Sequence, residues 1–341
     1  MSARAGAALA LAAAVSAVTG PVTAATTVPA TAYVLVGRAS NQFVMPVNTA
    51  TGQPGTDIAV GKSNSGGTIV ATPDGQTLYV VNTAGVTAIS TATQQVIATI
   101  ALPYAVTAAA VTPDGSTLYV ATGHDLYAIS TATKDTVTPV STATNKPGTP
   151  IKVGDRPDFL AMAPNGATVY VSTGVPNHVG YITPISTATG TVGKSIAAGF
   201  DSGSFVIAPD GQTGYVEGSV SRTITPIDLA AGTAGKPVNV GSTPDGIVIS
   251  PDSTTAYVSS SEKPVMVPVD VATGQAGGPI KEAPAGQVPD FPAFTPDGSA
   301  LYVVNASGVS HSSLTAIDTA TNTAGQPYKF GGYAYGIVIT S

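Results

Sequence analysis

The residues able to do chemistry in this chain are few, and most of them are carboxylates. Three aspartates recur in one local setting, Arg156-Pro-Asp158-Phe, Thr243-Pro-Asp245-Gly and Val288-Pro-Asp290-Phe, each at the start of an apolar segment. If they converge, such carboxylates supply the hard oxygen ligands that a divalent cation such as Ca²⁺ takes. If they stand apart, each caps its own Pro-Asp corner by bonding to local backbone. Glu217, one of three glutamates, interrupts a Tyr-Val segment in a slot that is otherwise Leu35, Val81, Ala121, Ser172, Ser259 or Val304. It reads either as an acid/base group or as a charge at a sheet edge. The three histidines fall in polar loops, Gly123-His124-Asp125, Pro176-Asn177-His178 and Val309-Ser310-His311. That scatter excludes a two-His helical zinc motif. His178 and Glu217 are therefore the candidate catalytic groups, and His124, His311 and Tyr335 the candidate ligand contacts.

Other constellations are absent. No serine has glycine at both flanking second positions, so there is no nucleophile elbow. Gly61-Lys62-Ser63 and Gly193-Lys194-Ser195 resemble the end of a phosphate-binding loop, but the required upstream glycine is Thr56 in one and Ala188 in the other. The lack of cysteine removes disulfides, thiolate metal sites and thiol nucleophiles together. With 13 Lys+Arg against 19 Asp+Glu there is no cationic excess to neutralise phosphates, so nucleic acid is excluded as a partner. At 43% hydrophobic and 9% charged, the chain carries enough apolar surface to fold.

The elements that must position these residues follow from an internal repeat. Pro-Asp-Gly or a close variant recurs at 73, 113, 164, 209, 251 and 296, at intervals of 40, 51, 45, 42 and 45 residues. Tyr-Val follows each turn, at Tyr79, Tyr119, Tyr170, Tyr215, Tyr257 and Tyr302, and a seventh copy at Tyr33-Val34 has no turn before it. Each repeat reads as four strands. Strand a is an apolar run such as 246–250, and strand b is the Tyr-Val segment. Strand c is a period-2 run such as 181–186, and strand d is a segment such as 235–240. Pro184, Pro226 and Pro268 within strand c mark positions that donate no ladder bond, or a bulge.

The count decides the architecture. Residues 31–60 supply strands b, c and d without an a, and residues 333–340 supply an a without its turn. Together they complete one blade, giving an all-β, seven-bladed propeller of four-stranded antiparallel blades closed by pairing of its terminal strands. The 51-residue interval is taken up by a longer b–c loop at 124–135. Six residues before each turn proline stand Gly67, Thr107, Asp158, Gly203, Asp245 and Asp290, with Tyr335 in the equivalent place of the last strand. Strand a lines the central channel of a propeller, so these residues are expected at its mouth, on the face shared by d–a and b–c loops.

Residues 1–25 differ from the rest: Arg4 is their one charge, an Ala/Leu/Val run fills 5–18, and Val22-Thr-Ala24 supplies small residues. This is the pattern of a signal peptide cut after Ala24 or Ala25, with 26–341 as a single domain that is secreted or envelope-associated. No later segment is apolar enough to span a membrane.

Pro-Asp-Gly followed by Tyr-Val, together with the stretch from Thr136 to Gly154, resembles the YVTN family of β-propeller repeats found in exported bacterial and archaeal surface proteins. The resemblance implies a propeller and an exported protein, and it transfers no catalytic residue. Similar seven-bladed architectures serve as lactonases, lyases and quinoprotein dehydrogenase subunits, so fold leaves function open. The expected function is an exported module that binds a protein or small-molecule partner through its d–a and b–c face. The alternative is a lyase- or lactonase-type enzyme at the channel mouth, with a divalent cation as its possible cofactor.

Overall fold

A computed structural model describes residues 30–340, apart from 63–66, 83–84, 103–105, 123–134, 155, 174–178, 201, 219 and 308–310. Seven antiparallel sheets form a closed ring of blades. Blade 1 opens with strand a at Thr68–Ala71, and strand a of blades 2 to 6 lies at Val106–Val111, Pro157–Met162, Ser202–Ile207, Pro244–Ile249 and Val288–Phe294. Blade 7 is the split one. Its inner strand, Tyr333–Thr340, pairs with Thr31–Arg38, which pairs with Asn41–Asn48 and then Ile58–Lys62. The expected clasp is therefore present, and it closes the ring with strand hydrogen bonds in place of two free edges.

Strand alternation explains the core. Successive residues of each strand b point into opposite neighbouring blades. In blade 4, Val216 joins the cluster shared with blade 3, which includes Tyr170, Ile182 and Ile227. Tyr215 joins the cluster shared with blade 5, with Ile224, Ile247 and Val258. There are seven such clusters, one per blade interface. The repeated tyrosine adds a polar link: Tyr257 Oη donates to Asn322 Oδ1 and Tyr302 Oη to the Thr49 carbonyl, both at 2.7 Å, each reaching the c–d turn of the next blade. The repeated turn is held by its aspartate. In blade 1 the Thr72 hydroxyl and the Gln76 N–H both donate to Asp74 Oδ1, and Gly75 takes φ +68°.

Strand d is less regular than its sequence suggests. In blade 4 it is broken into Thr233–Ala234 and Val238–Asn239, both pairing with strand c at Thr223–Asp228. Pro226, which has no N–H to donate outward, suits this break, and blade 6 makes the same break with Ala316 in that position, its carbonyl accepting from the Gly325 N–H. The Pro226 carbonyl accepts from the Gly235 N–H at 2.7 Å, and strand d arches over the ring, 3.0 Å from where a Gly235 Cβ would be. Pro46, Pro139, Pro184 and Pro268 accept from Gly55, Gly148, Gly193 and Gly277 in the same way.

Candidate functional site

The position six residues before the turn proline is a β-bulge in blades 2 to 6. Pairing between strands a and b slips at Val106/Ala108, Pro157/Phe159, Ser202/Phe205, Pro244/Gly246 and Pro289/Phe291, and likewise in blade 7 at Tyr335. Thr107, Asp158, Asp245, Asp290 and Tyr335 are thus the extra residues that the ladder leaves unpaired. A bulge re-aims the side chain it carries. Here Asp245 is exposed while Pro244 and Gly246 beside it are buried, and Tyr335 is part-buried between buried Ala334 and Gly336. Among the innermost strands such openings face the channel. Blade 1 has no bulge. Gly67, at φ +153°, precedes its strand a, and a Cβ there would meet the Val81 carbonyl at 2.8 Å.

Two of these groups, Asp245 and Asp290, lie within electrostatic reach of Glu217. Glu217 lies on strand b of blade 4 in register with Tyr215, hence facing blade 5, where Asp245 sits. It is 4% exposed. Its Oε2 accepts from the Ser204 N–H at 3.3 Å, while Oε1 and the neighbouring Ser204 hydroxyl have no hydrogen-bond partner. Burial, reinforced by the charges of Asp245 and Asp290, raises the Glu217 carboxyl to about 7 despite the bond from Ser204. Asp290 is raised to about 7 by burial and then by the Asp245 charge, opposed by the Tyr333 hydroxyl, which donates to Oδ2 at 3.3 Å. Tyr333 is in turn raised to about 12, first by burial and then by Asp290. Its ring lies 5.1 Å from that of Tyr335, which fills the space of the missing Gly37 Cβ. Asp245 is raised by burial. Its exposed surface and its lost solvation are consistent with one another, because a group in a narrow channel meets water on one side and protein on the others.

Asp158 stands apart from this group. Burial raises it to about 6, against the lowering effect of Arg156, and its acidic neighbour is Asp135. Among the described residues no hydrogen bond ties Asp158 or Asp245 to its own loop. Nor do three or more His, Asp or Glu side chains gather as a metal site among the described residues. His311 opens strand c of blade 6 at the b–c end. His124 and His178 lie outside the described residues.

Sequence reasoning missed Tyr333, Ser259 and Glu282. Ser259 occupies in blade 5 the slot of Glu217; it is 1% exposed and its hydroxyl is unpartnered. Its Oγ lies 3.1 Å, and the Asp290 carbonyl 2.7 Å, from where a Gly246 Cβ would be. Glu282 follows Ile280–Lys281 where blades 2 and 4 have buried Val153 and Val240. It is raised to about 7 by burial, opposed by the Asn305 and Thr315 side chains beside it. A charged residue in an apolar slot of the repeat was the available signal in both Glu217 and Glu282.

A repeated type of cleft lies on the opposite face. One of about 490 Å³ is lined by Thr112, Pro113, Asp114, Tyr119, Asn165 and Thr187. Equivalent clefts recur at two other interfaces, so they come from the turn architecture itself.

Fold and site together define a seven-bladed β-propeller with an acidic, aromatic-flanked sector at one channel mouth. Among solved structures the chain is similar to a protein of unknown function from Desulfotomaculum acetoxidans, with TM-score 0.71 and 17% identity over 90% of this chain and 98% of that one. It is also similar to the dihydro-heme d1 dehydrogenase NirN, with TM-score 0.66 and 16% identity over 93% and 76%. Kuenenia stuttgartiensis hydrazine synthase matches with TM-score 0.62 and 25% identity over 74% and 77%. No protein-family profile and no curated protein matches the sequence. The shared property is the propeller fold, which hosts unrelated functions.

Proposed function

We propose that this protein is an exported binding module of the YVTN-repeat type, whose d–a and b–c face takes a small-molecule or protein partner at the channel mouth. One observation supports the reading: Asp245 and Asp290 stand at bulges of two innermost strands, and Glu217 on the adjoining blade is buried with one carboxyl oxygen outside the hydrogen bonds of the fold. A buried acceptor without a donor costs about 1–3 kcal/mol, and a ligand that supplies the donor recovers that cost. Export rests on the pattern of residues 1–25, and among the described residues no helix is long and apolar enough to cross a membrane.

Screening the ¹⁵N-labelled protein with a library of small polar compounds tests the reading. Hits should shift the amides of Asp245, Asp290 and Tyr333. Hits confined to the turn-face clefts, around Asp114 and Asp252, would overturn it. Turnover of a lactone abolished by Glu217→Gln would replace it with the enzyme alternative. A Ca²⁺ titration of the melting temperature tests the cofactor expectation, with no shift counting against a divalent site.

A further inference from the structure

We propose that blade 2 has two packings, because its sequence holds two copies of strand c. In the packing described above, Thr136–Ser141 is strand c and pairs with Thr117–Thr122. In the other, residues 125–130 take that place, and Thr136–Ser141 moves outward by one strand to become strand d.

The second copy accounts for the one anomalous repeat interval. Residues 117–133 read TLYVATGHDLYAISTAT, and forty residues earlier, in blade 1, residues 77–93 read TLYVVNTAGVTAISTAT. The run Ser-Thr-Ala-Thr at 130–133 then recurs at 141–144, eleven residues on. Eleven is also the amount by which the 51-residue interval exceeds the first interval of 40. In blade 1 Asn82 at the end of strand b pairs with Gly85 at the start of strand c, and the equivalents forty residues on are Thr122 and Asp125. The upstream copy lies outside the described residues.

The residues by which Thr136–Ser141 and its turn make their contacts have counterparts eleven positions upstream. Val137 and Val140 are fully buried, Val137 against blade 3 and Val140 against blade 1. Leu126 and Ile129 stand in those slots of the copy. Thr142 Oγ1 donates to the Gly115 carbonyl at 2.7 Å, as Thr91 Oγ1 does to that of Gly75 at 2.8 Å, and Thr131 is the same residue in the copy. One position separates the two. Pro139 stands opposite Tyr119 and has no N–H for a neighbouring strand, whereas the copy has Ala128 there, as blade 1 has Ala88 opposite Tyr79.

The outward move is provided for as well. Forty residues before Thr136 and Val140 stand Val96 and Ile100, inside the continuous strand d of blade 1, Gln95–Ile100. An edge strand is also where a proline such as Pro139 is tolerated. The strand d now seen in blade 2 is two fragments, Lys146–Pro147 and Ile151–Lys152, each joined to strand c by two residue pairs. Opposing terms set the balance. A two-residue b–c connection loses less chain entropy on closure than the thirteen residues 123–135, which favours the copy. Val153 and Ile151, packed against blade 3, favour the described pairing. Two packings of one sequence that differ by a small free energy make a two-state element.

Val153 reports the exchange. It is 8% exposed, its N–H donates to the Asp135 carbonyl at 3.0 Å, and it loses that place when Thr136–Ser141 becomes strand d. The chain has no cysteine, so Val153→Cys supplies a single thiol whose rate of maleimide labelling reads the second packing. Two changes remove that packing: deletion of 124–134, and the pair Leu126→Ser with Ile129→Ser, which keeps the chain length and withdraws the two core residues. In both backgrounds labelling should slow by about tenfold or more, as expected when a minor state of a few per cent is lost, with the melting temperature unchanged or higher. Hydrogen exchange of the Val153 amide makes the same comparison without the cysteine. Deletion of 135–145 instead leaves the copy as the one strand c, and that chain should stay soluble and melt cooperatively. Equal labelling in all backgrounds would overturn the proposal, as would an unfolded 135–145 deletion. Slowing by the 124–134 deletion but not by the serine pair would overturn it too, because labelling would then follow loop length rather than strand exchange.

Discussion

Blades 2 and 3 and blades 5 and 6 carry the same backbone device at the channel mouth and use it differently. In blade 2 the bulge residue Thr107 donates to the Pro157 carbonyl of the next blade at 2.6 Å, and in blade 3 Asp158 has Arg156 beside it. Thr107 is satisfied by its neighbour, and Asp158 has a cation nearby that offsets part of its burial. Across the ring, Asp245 and Asp290 feel each other's charge, both act on Glu217, and Asp290 accepts from the Tyr333 hydroxyl. The bulge therefore belongs to the fold, and the polarity left over at it belongs to the residue.

The largest effect tests the ring that both halves share. Deleting 333–340 removes the strand that pairs with Thr31–Arg38 and uncovers Val34, Val36 and their cluster. Soluble yield should collapse, or the melting temperature fall by more than ten degrees on the order of several kcal/mol. A truncated protein melting like the parent would break the closure argument.

Next is the tight side of the contrast. Gly246→Val forces a side chain toward the Asp290 carbonyl, 2.7 Å from the Cβ position. Overpacking of this kind costs about 1–3 kcal/mol, readable as a lower denaturant midpoint. No loss would mean that strands a of blades 5 and 6 stand further apart than described.

The pH dependence of stability sharpens the comparison. The Glu217, Glu282 and Asp290 carboxyls are raised to about 7 in the folded protein from about 4 when unfolded. Between those values the folded state binds more protons than the unfolded state, so stability is full below about pH 4 for these groups and falls as pH rises through 7. Glu217 alone accounts for about 3 kcal/mol at 1.36 kcal/mol per unit. Denaturant midpoints should thus be lower at pH 8 than at pH 5.5. Glu217→Val, which installs the residue found at Val81 and Val304, should flatten that slope and raise stability at pH 8, because an unpartnered buried charge gives way to packing. An unchanged slope in the variant would remove Glu217 from the account.

The smallest effect is at the rim. Tyr257→Phe removes a 2.7 Å bond to Asn322 and should cost about 1 kcal/mol, whereas Tyr215→Phe, whose bond to Val271 is 3.5 Å long, should cost less. Equal losses would show that the hydroxyls do not discriminate between interfaces.

Much of this was legible in the residues. Six Pro-Asp-Gly-type turns, seven Tyr-Val copies and the mismatch between the two ends determined the blades, their number and the clasp, because turn chemistry and strand alternation are local and repetition makes each copy confirm the others. Counting back from each turn also located the bulge positions. The same counting did not reveal that they are bulges, nor that Tyr333 reaches Asp290 from 43 residues away. It placed Asp158 with Asp245 and Asp290, and the ring sets it apart beside Arg156 and Asp135. It passed over Glu282, whose meaning depends on the Asn305 and Thr315 of another blade. The sequence by itself determined the repeat, since each blade is specified by its own forty-odd residues. Only the tertiary structure decided which carboxyls meet, because solvation and charge coupling depend on distances across blades, which closure of the ring fixes and no local spacing encodes.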